Sequence, residues 1–424
     1  MSPASASPAS PSSSSPASRP GQPGTAWVLF VTLAIQALAS AATIAPAVVG
    51  PVVTRELGWS PSLIGIYMAL VYFAAMFTSV VGGTLVSRFG AMRCSQASLL
   101  ISSVGMGLLC VGNLPCAAIG AVLVGMGYGP ITPASSFLLL RTTPPHRMSL
   151  VFSIKQTGVP VGGVIAALVV PQIEALVGWR LALASTAIAC VLCALIGQSV
   201  QRALDADRDA PAAFQWRDLI KPVQLVWRTP ALRMMALCSL LFSTIQLAVT
   251  SYLVTFLNLS LGWTLIAAGV ALSISQVAGV VGRILWGVVA DRWVAPRTLL
   301  GILALMMAAA SVGVALLQDS TPFAVVAVIA AVYGASGIGW NGVFLAEVAR
   351  RAPPGLIGQA TGGTLLFTYL GVFVGQPLLS TIAVAAGSDG VGNYAVAYAV
   401  LVVPALTCAW LLLKGRGKDR RLTP

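Results

Sequence analysis

Long apolar stretches alternate with short polar segments along the chain after its first 25 residues. A helix needs roughly 20 apolar residues to cross the hydrocarbon core of a bilayer, and twelve stretches are long enough. The pattern therefore predicts an all-α membrane protein with twelve transmembrane helices, or spans. The predicted spans are 26–53, 61–86, 94–113, 115–140, 148–172, 180–200, 231–257, 264–290, 298–317, 322–346, 356–386 and 391–413.

The longest polar interruption, residues 201–230, lies between the sixth and seventh spans. It mixes aspartates with arginines and a lysine, and it predicts a cytoplasmic linker between two six-helix bundles, 26–200 and 231–413. Its part 214–227 could form a short amphipathic helix on the membrane surface.

Charge is scarce and is distributed in a way that indicates topology. Only 8% of the residues are charged, against about 25% in an average soluble protein. The net charge is +13, but the basic residues lie in short segments between spans, which is the positive-inside pattern and not a nucleic-acid surface. With the N-terminus inside, 20 of the 24 Lys and Arg residues are cytoplasmic and two are outside. We therefore predict a cell-membrane protein with two cytoplasmic tails, a disordered one at 1–25 and a basic one at 414–424.

The two predicted bundles repeat one pattern. Leu-Gly-Trp at 57–59 returns at 261–263, an offset of 204 residues, and Gly-Val-x-Val-Gly at 158–162 returns at 371–375, an offset of 213. Six helices bring the chain back to the side of the membrane on which it began, so the bundles are parallel repeats. Duplication of this kind is typical of secondary transporters, whose substrate site lies near mid-membrane between the repeats.

A glycine-rich polar turn follows the second and the eighth span. The first copy contains a serine where the second contains an acid, and a hydroxyl can cap a helix terminus only without charge. Together with the twelve spans and the central linker, this duplicated turn resembles the major facilitator superfamily. The resemblance implies that the turn acts as a conformational clamp on the cytoplasmic side. The clamp residues are Gly83, Ser87, Arg88 and Gly90 in the first copy and Gly287, Asp291 and Arg292 in the second.

The form of residues 282–292, Gly-Arg-x-x-Trp-Gly-x-x-x-Asp-Arg, is most similar to monocarboxylate and oxalate/formate carriers. The resemblance implies that an arginine in the eighth span contacts a substrate carboxylate, and Arg283 occupies that position. The oxalate-type carriers pair it with a lysine in the eleventh span, which has no charge here. A lysine, Lys155, lies instead in the fifth span, the repeat equivalent of the eleventh.

Arg283 and Lys155 are the two cations inside predicted spans. Each lies eight residues from a charged residue at the cytoplasmic helix end, which places it about 12 Å into the membrane. A charge at that depth costs several kcal/mol, and neither cation has an acidic partner in the sequence. We interpret the pair as an anion site, in which arginine grips a carboxylate and lysine, by losing its proton, could couple transport to pH. The alternative is snorkelling of both side chains to the cytoplasmic interface.

Three further residues, Gln36, Tyr128 and Asn341, could line the same cavity. Each of them could equally form an interhelical hydrogen bond or an aromatic packing contact. Tyr128 has a repeat counterpart in Tyr333.

The sequence thus predicts a secondary active transporter of a small organic anion, a mono- or dicarboxylate, that works by alternating access with proton coupling or exchange. The alternative is an efflux pump for a neutral or amphipathic compound. The chain contains no nucleophile triad, metal cluster or phosphate loop, so we expect no enzyme activity, cofactor or metal. The expected partners are the substrate, protons and the lipid bilayer, and the expected state is a monomer.

Overall fold

The computed structural model describes residues 24–143, 151, 154–205, 217–353, 356–387 and 392–414, and every regular element in these ranges is a helix. A short π-helical turn, Phe256–Ser260, extends α9. The α-helices are α1 Thr25–Glu56, α2 Leu63–Phe89, α3 Ala91–Leu109, α4 Leu114–Tyr128, α5 Ile131–Thr142, α6 Gly158–Val177, α7 Trp179–Leu204, α8 Arg217–Arg228, α9 Pro230–Thr255, α10 Leu265–Arg292, α11 Pro296–Ala315, α12 Phe323–Gly337, α13 Asn341–Arg351, α14 Ile357–Ala386, α15 Tyr394–Val400 and α16 Val402–Leu413.

Eleven helical stretches among the described residues are long and apolar enough to cross a membrane. The remaining predicted span, the third, corresponds to α3, which is helical but less apolar. Its buried side includes four serines, Ser95, Ser98, Ser102 and Ser103. These hydroxyls bond to carbonyls within α3, and Ser103 also bonds to the Ala187 carbonyl of α7. The fold therefore agrees with the predicted twelve-helix architecture.

Four predicted spans are interrupted near their middle. The fourth is broken at Gly129–Pro130 between α4 and α5, and the tenth at 338–340 between α12 and α13. The fifth has a single turn residue, Thr157, before α6 begins, and the twelfth has one, Leu401, between α15 and α16. Such breaks leave backbone carbonyls without a helical donor, and transporters use discontinuous helices of this kind around their substrate sites.

The helices pack as two groups, α1–α7 (the first half) and α9–α16 (the second half). In the first half α1 packs on α6, and α3 packs on α4 and α7; in the second half α9 packs on α14, α10 on α12, and α11 on α16. The two halves meet mainly where α2 contacts α14 and where α6 contacts α10. This arrangement is the predicted pair of six-helix bundles, and these four helices form most of the contact between the halves.

Two glycines permit the close contact between the halves. A Cβ at Gly163 of α6 would lie 2.8 Å from Oε1 of Gln276 in α10. A Cβ at Gly65 of α2 would lie 2.9 Å from Oγ of Ser380 in α14. Gly65 lies near the end of the bundle where α1 meets α2 (the Trp59 end), and the opposite end, where α2 meets α3, is called the Gly90 end.

The beginning of the predicted linker belongs to the first half. Helix α7 continues to Leu204, and the buried carboxylate of Asp205 accepts hydrogen bonds from the backbone N–H groups of Met92 and Arg93, at 2.9 and 3.0 Å. Asp205 therefore caps the N-terminus of α3 and stabilises its dipole. Sequence reasoning assigned this residue to the linker, because an aspartate directly after an apolar run is typical of a loop.

Helix α8 lies within the predicted linker, close to the amphipathic helix expected at 214–227. It packs on α14, with Val226 buried and the Trp227 ring stacked on Phe367 at 6.5 Å between centroids. Ile220, one turn into the helix, is exposed. Residues 206–216, the predicted N-terminal tail up to residue 23 and the basic tail beyond residue 414 lie outside the described ranges.

Candidate functional site

Arg283 of α10 connects the two halves through its side chain. Its Nε donates to the backbone carbonyl of Ile338, at 3.1 Å, and its Nη1 donates to the backbone carbonyl of Gln156. Ile338 lies at the break between α12 and α13, in the same half as Arg283. Gln156 lies just before α6, in the other half. The guanidinium therefore bridges the interface and does not extend along its own helix, as snorkelling would require.

Local sequence explains why the Gln156 carbonyl is available. In a continuous helix this carbonyl would accept from the N–H of residue 160, but Pro160 has no N–H. The backbone turns at Thr157, whose N–H bonds instead to Ile154, at 3.0 Å. Arg283 thus supplies the donor that the proline removes.

Lys155 precedes Gln156 and is buried, with 1% of its surface exposed. Throughout the described ranges no hydrogen bond or ion pair to its ammonium is found. The charge that acts on it electrostatically is that of Arg283, which has the same sign. Two like charges, one buried and one partly buried, therefore lie together between the halves, where an isolated cation costs several kcal/mol.

The acidic side chains that the structure describes all lie elsewhere, either paired or at least partly exposed. Glu56 accepts from Arg180 at 2.6 Å, and Glu347 accepts from Arg350 and Arg351 at 2.5 and 2.6 Å. The remaining described acids are Asp205 capping α3, Glu174 near Glu56, and the exposed Asp291 and Asp319. Within the described part of the chain, no carboxylate compensates Lys155 or Arg283, so the pair can attract an anion.

Tyr128 lies within the electrostatic reach of Arg283 and belongs to a group of three tyrosines. The Tyr72 ring is 6.0 Å from Tyr128 and 6.2 Å from Tyr369, measured between centroids. Tyr72 and Tyr128 come from the first half and Tyr369 from the second, so the group (the tyrosine cluster) lies at the interface. Sequence reasoning missed Tyr72 and Tyr369, because a tyrosine within an apolar span carries no mark of its position.

Tyr128 and its repeat counterpart Tyr333 have different surroundings. Tyr333 is fully buried in the second half, and its hydroxyl donates to the Ile245 carbonyl at 3.3 Å. Tyr128 is half-buried, and its hydroxyl has no hydrogen-bond partner in the ranges that the structure describes. Only Tyr128 is therefore available to a ligand.

Gln36 of α1 is buried beside the beginning of α6. Its Oε1 accepts from the Thr132 hydroxyl at 3.3 Å, while its Nε2 has no partner among the described residues. A Cβ at Gly158 would lie 3.0 Å from the Gln36 side chain, so the amide packs against the backbone that follows Lys155. Gln36 thus brings an unsatisfied donor close to the buried cations.

Asn341 is located at the site but is already hydrogen-bonded. Its Nδ2 donates to the Ile338 carbonyl at 3.3 Å, which it shares with Arg283, and to Oε1 of Gln246 at 3.1 Å. The Trp340 indole donates to the same Gln246 oxygen at 2.9 Å. Asn341 therefore stabilises the helix break that supports Arg283.

The first-half clamp residues surround the capped N-terminus of α3. Gly90 ends α2 with a φ of 99°, a conformation that disfavours any side chain, and the Asp205 carboxylate fills the space where a Cβ would lie. Arg88 is exposed, with its guanidinium 5.4 Å from the Phe89 ring centroid. Gly83 and Ser87 lie in the last turns of α2, and their side chains are outside the described part of the structure.

The second-half clamp residues lie at the end of α10. Asp291 and Arg292 are both exposed, and in the described residues neither forms a hydrogen bond or an ion pair. A Cβ at Gly287 would meet no atom within 4 Å. The clamp function stays a prediction.

Comparison with known proteins shows which family has this architecture. Residues 29–376 match the Major Facilitator Superfamily. An uncharacterized MFS-type transporter of Mycobacterium tuberculosis is 26% identical over 233 residues, which cover 54% of this chain and 49% of that protein. The chain thus spans about half the length of that relative. The benzoate transport protein of Acinetobacter baylyi is 21% identical over 366 residues, 78% of this chain and 77% of that protein.

Solved structures agree on the fold. The nucleoside transporter NupG superimposes with a TM-score of 0.77 and 15% identity, covering 91% of this chain and 99% of that chain. At this level of identity the similarity shows the fold alone. The family match covers most of the chain, the apolar helices pack in two bundles, and the matched relatives are transporters. The chain is therefore a multi-pass membrane protein that belongs to the major facilitator superfamily.

Proposed function

We propose that this protein is a secondary transporter of a small organic anion, with Lys155 and Arg283 as the substrate-binding cations. The observation that carries the proposal is the position of both cations at one place between the halves, with Lys155 buried and Arg283 partly buried, and with no carboxylate beside them in the described part of the chain. A carboxylate ligand would supply the missing negative charge. The name of the benzoate transport protein, a relative over most of its length, supports an anionic substrate.

Substrate binding and conformational change would use the same guanidinium. Arginine has five N–H donors, and Arg283 uses two of its nitrogens on the Gln156 and Ile338 carbonyls. A carboxylate makes stronger, charge-assisted hydrogen bonds than a neutral carbonyl, so it would displace Gln156. Because Gln156 is in the other half, this exchange would release one contact between the halves and allow them to rock.

Lys155 would set the charge of the loaded site. A carboxylate held by Arg283 faces a second cation while Lys155 is protonated, and loss of that proton would weaken the anion's binding. Transport would then be coupled to protons or to exchange with a second anion. In the same proposal the protein is a monomer with both termini and the Gly90 end in the cytoplasm, as the distribution of basic residues indicates.

An alternative substrate class is suggested by the tyrosine cluster. Three aromatic rings at the interface would also suit a neutral or amphipathic compound, which an efflux pump would export. Such a compound would not need Lys155 or Arg283, and this difference separates the two candidates.

The proposal is tested with purified full-length protein in liposomes and in thermal-shift measurements with acetate, benzoate, oxalate and succinate. We expect at least one of these anions to stabilise the wild type and to be transported, and we expect Arg283→Ala and Lys155→Ala to lose both effects. Arg93→Ala, which removes an exposed cation at the start of α3, is the matched control and should behave as wild type. Wild-type transport by both site variants would refute the proposal.

A further inference from the structure

We propose that the organic part of the transported anion is an aromatic ring, held by Tyr72, Tyr128 and Tyr369 while its carboxylate binds Arg283 and Lys155. This inference rests on the proposed function and narrows its substrate to an aromatic monocarboxylate. It is carried by the position of the tyrosine cluster next to the cations.

The cluster is built from three different spans. Tyr72 is on α2, Tyr128 on α4 and Tyr369 on α14, and the centroid distances of 6.0 and 6.2 Å from Tyr72 are those of interacting aromatic pairs. Tyr128 is also the tyrosine that Arg283 acts on electrostatically. A ligand carboxylate on the guanidinium would therefore have tyrosine rings beside its organic part.

Two hydroxyls of the cluster differ from those of Tyr252 and Tyr398, although the hydroxyls of Tyr67 and Tyr394, outside the cluster, also have no partner among the described residues. In the second half, Tyr252 and Tyr398 are buried, and their hydroxyls donate to backbone carbonyls at 2.7 and 3.0 Å. These bonds stabilise the fold. The hydroxyls of Tyr72 and Tyr128 have no hydrogen-bond partner in the ranges that the structure describes, so they are available to a ligand.

The chemistry of the cluster favours an aromatic ligand over a short dicarboxylate. Tyrosine rings pack edge-to-face or offset against another ring and gain more than area burial alone gives. A dicarboxylate as small as oxalate would satisfy the cations but would leave these ring faces against water. A ring that bears one carboxylate satisfies both parts of the site.

The cluster also spans the interface between the halves. Tyr72 and Tyr369 belong to different halves, so their separation changes when the halves move. A ring bound against both of them would sense the conformational state of the transporter. Ring binding and carboxylate binding would thus act on the two interface contacts, α2 with α14 and α6 with α10.

The test compares anions that differ in one property, with wild-type protein and binding measured by calorimetry or thermal shift. Benzoate and cyclohexanecarboxylate have the same size and charge, but only benzoate is aromatic, and acetate has no ring at all. We expect benzoate to bind about five- to tenfold more tightly than cyclohexanecarboxylate. Equal affinity of the two ring compounds would overturn the inference, without any variant being needed.

Substitutions test which residues produce the preference for benzoate over cyclohexanecarboxylate. Tyr128→Leu should reduce the benzoate preference to less than about twofold while acetate binding is retained, and Tyr128→Phe should keep the preference. Phe30→Leu removes an exposed aromatic residue of α1, whose ring stacks on Trp27 of the same helix, and is the matched control. A preference that survives Tyr128→Leu would also contradict the inference.

The two proposals fail in different ways. If both ring compounds bind equally and Arg283→Ala abolishes both, the substrate is an organic anion but not specifically aromatic. If none of the carboxylates binds, the anion site itself is wrong and the aromatic inference is wrong with it.

Discussion

The Arg283 side chain donates to the backbone carbonyl of Gln156, and the two residues belong to different halves of the molecule. Their repeat counterparts also lie next to each other. The offset of 204 residues pairs Arg283 with Ser79, and the offset of 213 pairs Gln156 with Tyr369. Ser79 of α2 and Tyr369 of α14 are neighbours where these two helices meet across the interface. Equivalent positions therefore close the interface twice, once with a charge and once with hydroxyls.

This asymmetry has a functional meaning. Only the charged copy can exchange its partner for an anion, because a guanidinium binds a carboxylate more strongly than it binds a carbonyl. The neutral copy includes a ring of the tyrosine cluster. One interface contact would thus respond to the charge of the substrate and the other to its ring.

Pro160→Ala is expected to increase anion affinity. The new N–H can bond to the Gln156 carbonyl within the helix, so this carbonyl no longer competes with the ligand for the Arg283 guanidinium. Because a neutral hydrogen bond contributes about 1 kcal/mol, we expect the affinity for benzoate or acetate to rise about fivefold. The affinity is measured by calorimetric titration, and Pro171→Ala, in the same helix, is the control. Unchanged affinity would mean that Gln156 does not compete with the ligand.

Lys155→Met is expected to make the unliganded protein more stable while abolishing anion binding. The substitution removes a buried cation whose only electrostatic neighbour in the described structure has the same sign, and such a charge costs several kcal/mol at membrane depth. Thermal unfolding in detergent should show a higher Tm and no further shift with benzoate. Arg93→Met should leave the Tm within about 1 °C, since exposed substitutions change stability by less than about 0.5 kcal/mol. A lower Tm for Lys155→Met would argue that Lys155 has a structural partner.

Gly65→Ala is expected to hold the Trp59 end open. A Cβ at this position would lie 2.8 Å from the Gln376 carbonyl and 2.9 Å from Oγ of Ser380, so the halves could not close there. A single cysteine placed at Ser62 in a cysteine-free background should react faster with a membrane-impermeant thiol reagent, and transport should fall. Gly107→Ala, in α3, adds a Cβ that meets nothing within 4 Å and is the control. Unchanged reactivity at Ser62 would show that the end does not close on Gly65.

Asp205→Ala is expected to destabilise the first half. It removes both hydrogen bonds to the N-terminus of α3, and loss of a helix cap costs about 1 to 2 kcal/mol. Asp205→Asn keeps one acceptor and should lose less. Asp291→Asn is the comparison: Asp291 is exposed at the end of α10, so its substitution should leave the Tm unchanged and, if the clamp prediction holds, change only the transport rate. An Asp205→Ala protein with the wild-type Tm would contradict the capping role.

The sequence was sufficient for the architecture, and it singled out the two cations that the structure places between the halves. Apolar length and repeat offsets predicted the spans and the two bundles, because these properties are set by the bilayer and by duplication. The position of Arg283 at the site could be predicted from its charge, because a cation inside a span costs free energy and is retained mainly where it binds a partner or a ligand. The hydrogen-bond acceptors of Arg283 could not be predicted from the sequence. Pro160 indicates that the Gln156 carbonyl is free, but only the packing of α6 on α10 identifies Arg283 as the donor.

Other features of the site could not be predicted for a different reason. Tyr128 and Tyr333 are equivalent in the repeat and similar in their local sequence, yet one faces the interface and the other lies in the core. Tertiary packing decides between them, and a periodic pattern in a buried span does not record it. Tyr369 could have been found by applying the offset of 213 residues to Gln156, but only after Gln156 had been recognised as part of the site.

Both acceptors of Arg283, at Gln156 and Ile338, are backbone carbonyls, and this has a consequence for evolution. The side chains at 156 and 338 can be substituted without loss of the contact, because only their backbone carbonyls accept from Arg283. Covariation between these two positions and Arg283 is therefore expected to be weak. Selection is expected to act on the features that leave those carbonyls without a donor in their own helix, which are the missing N–H of Pro160 and the break after α12. Comparison of related chains should therefore find the proline and the break changing together with the arginine, and the two acceptor residues changing independently of it.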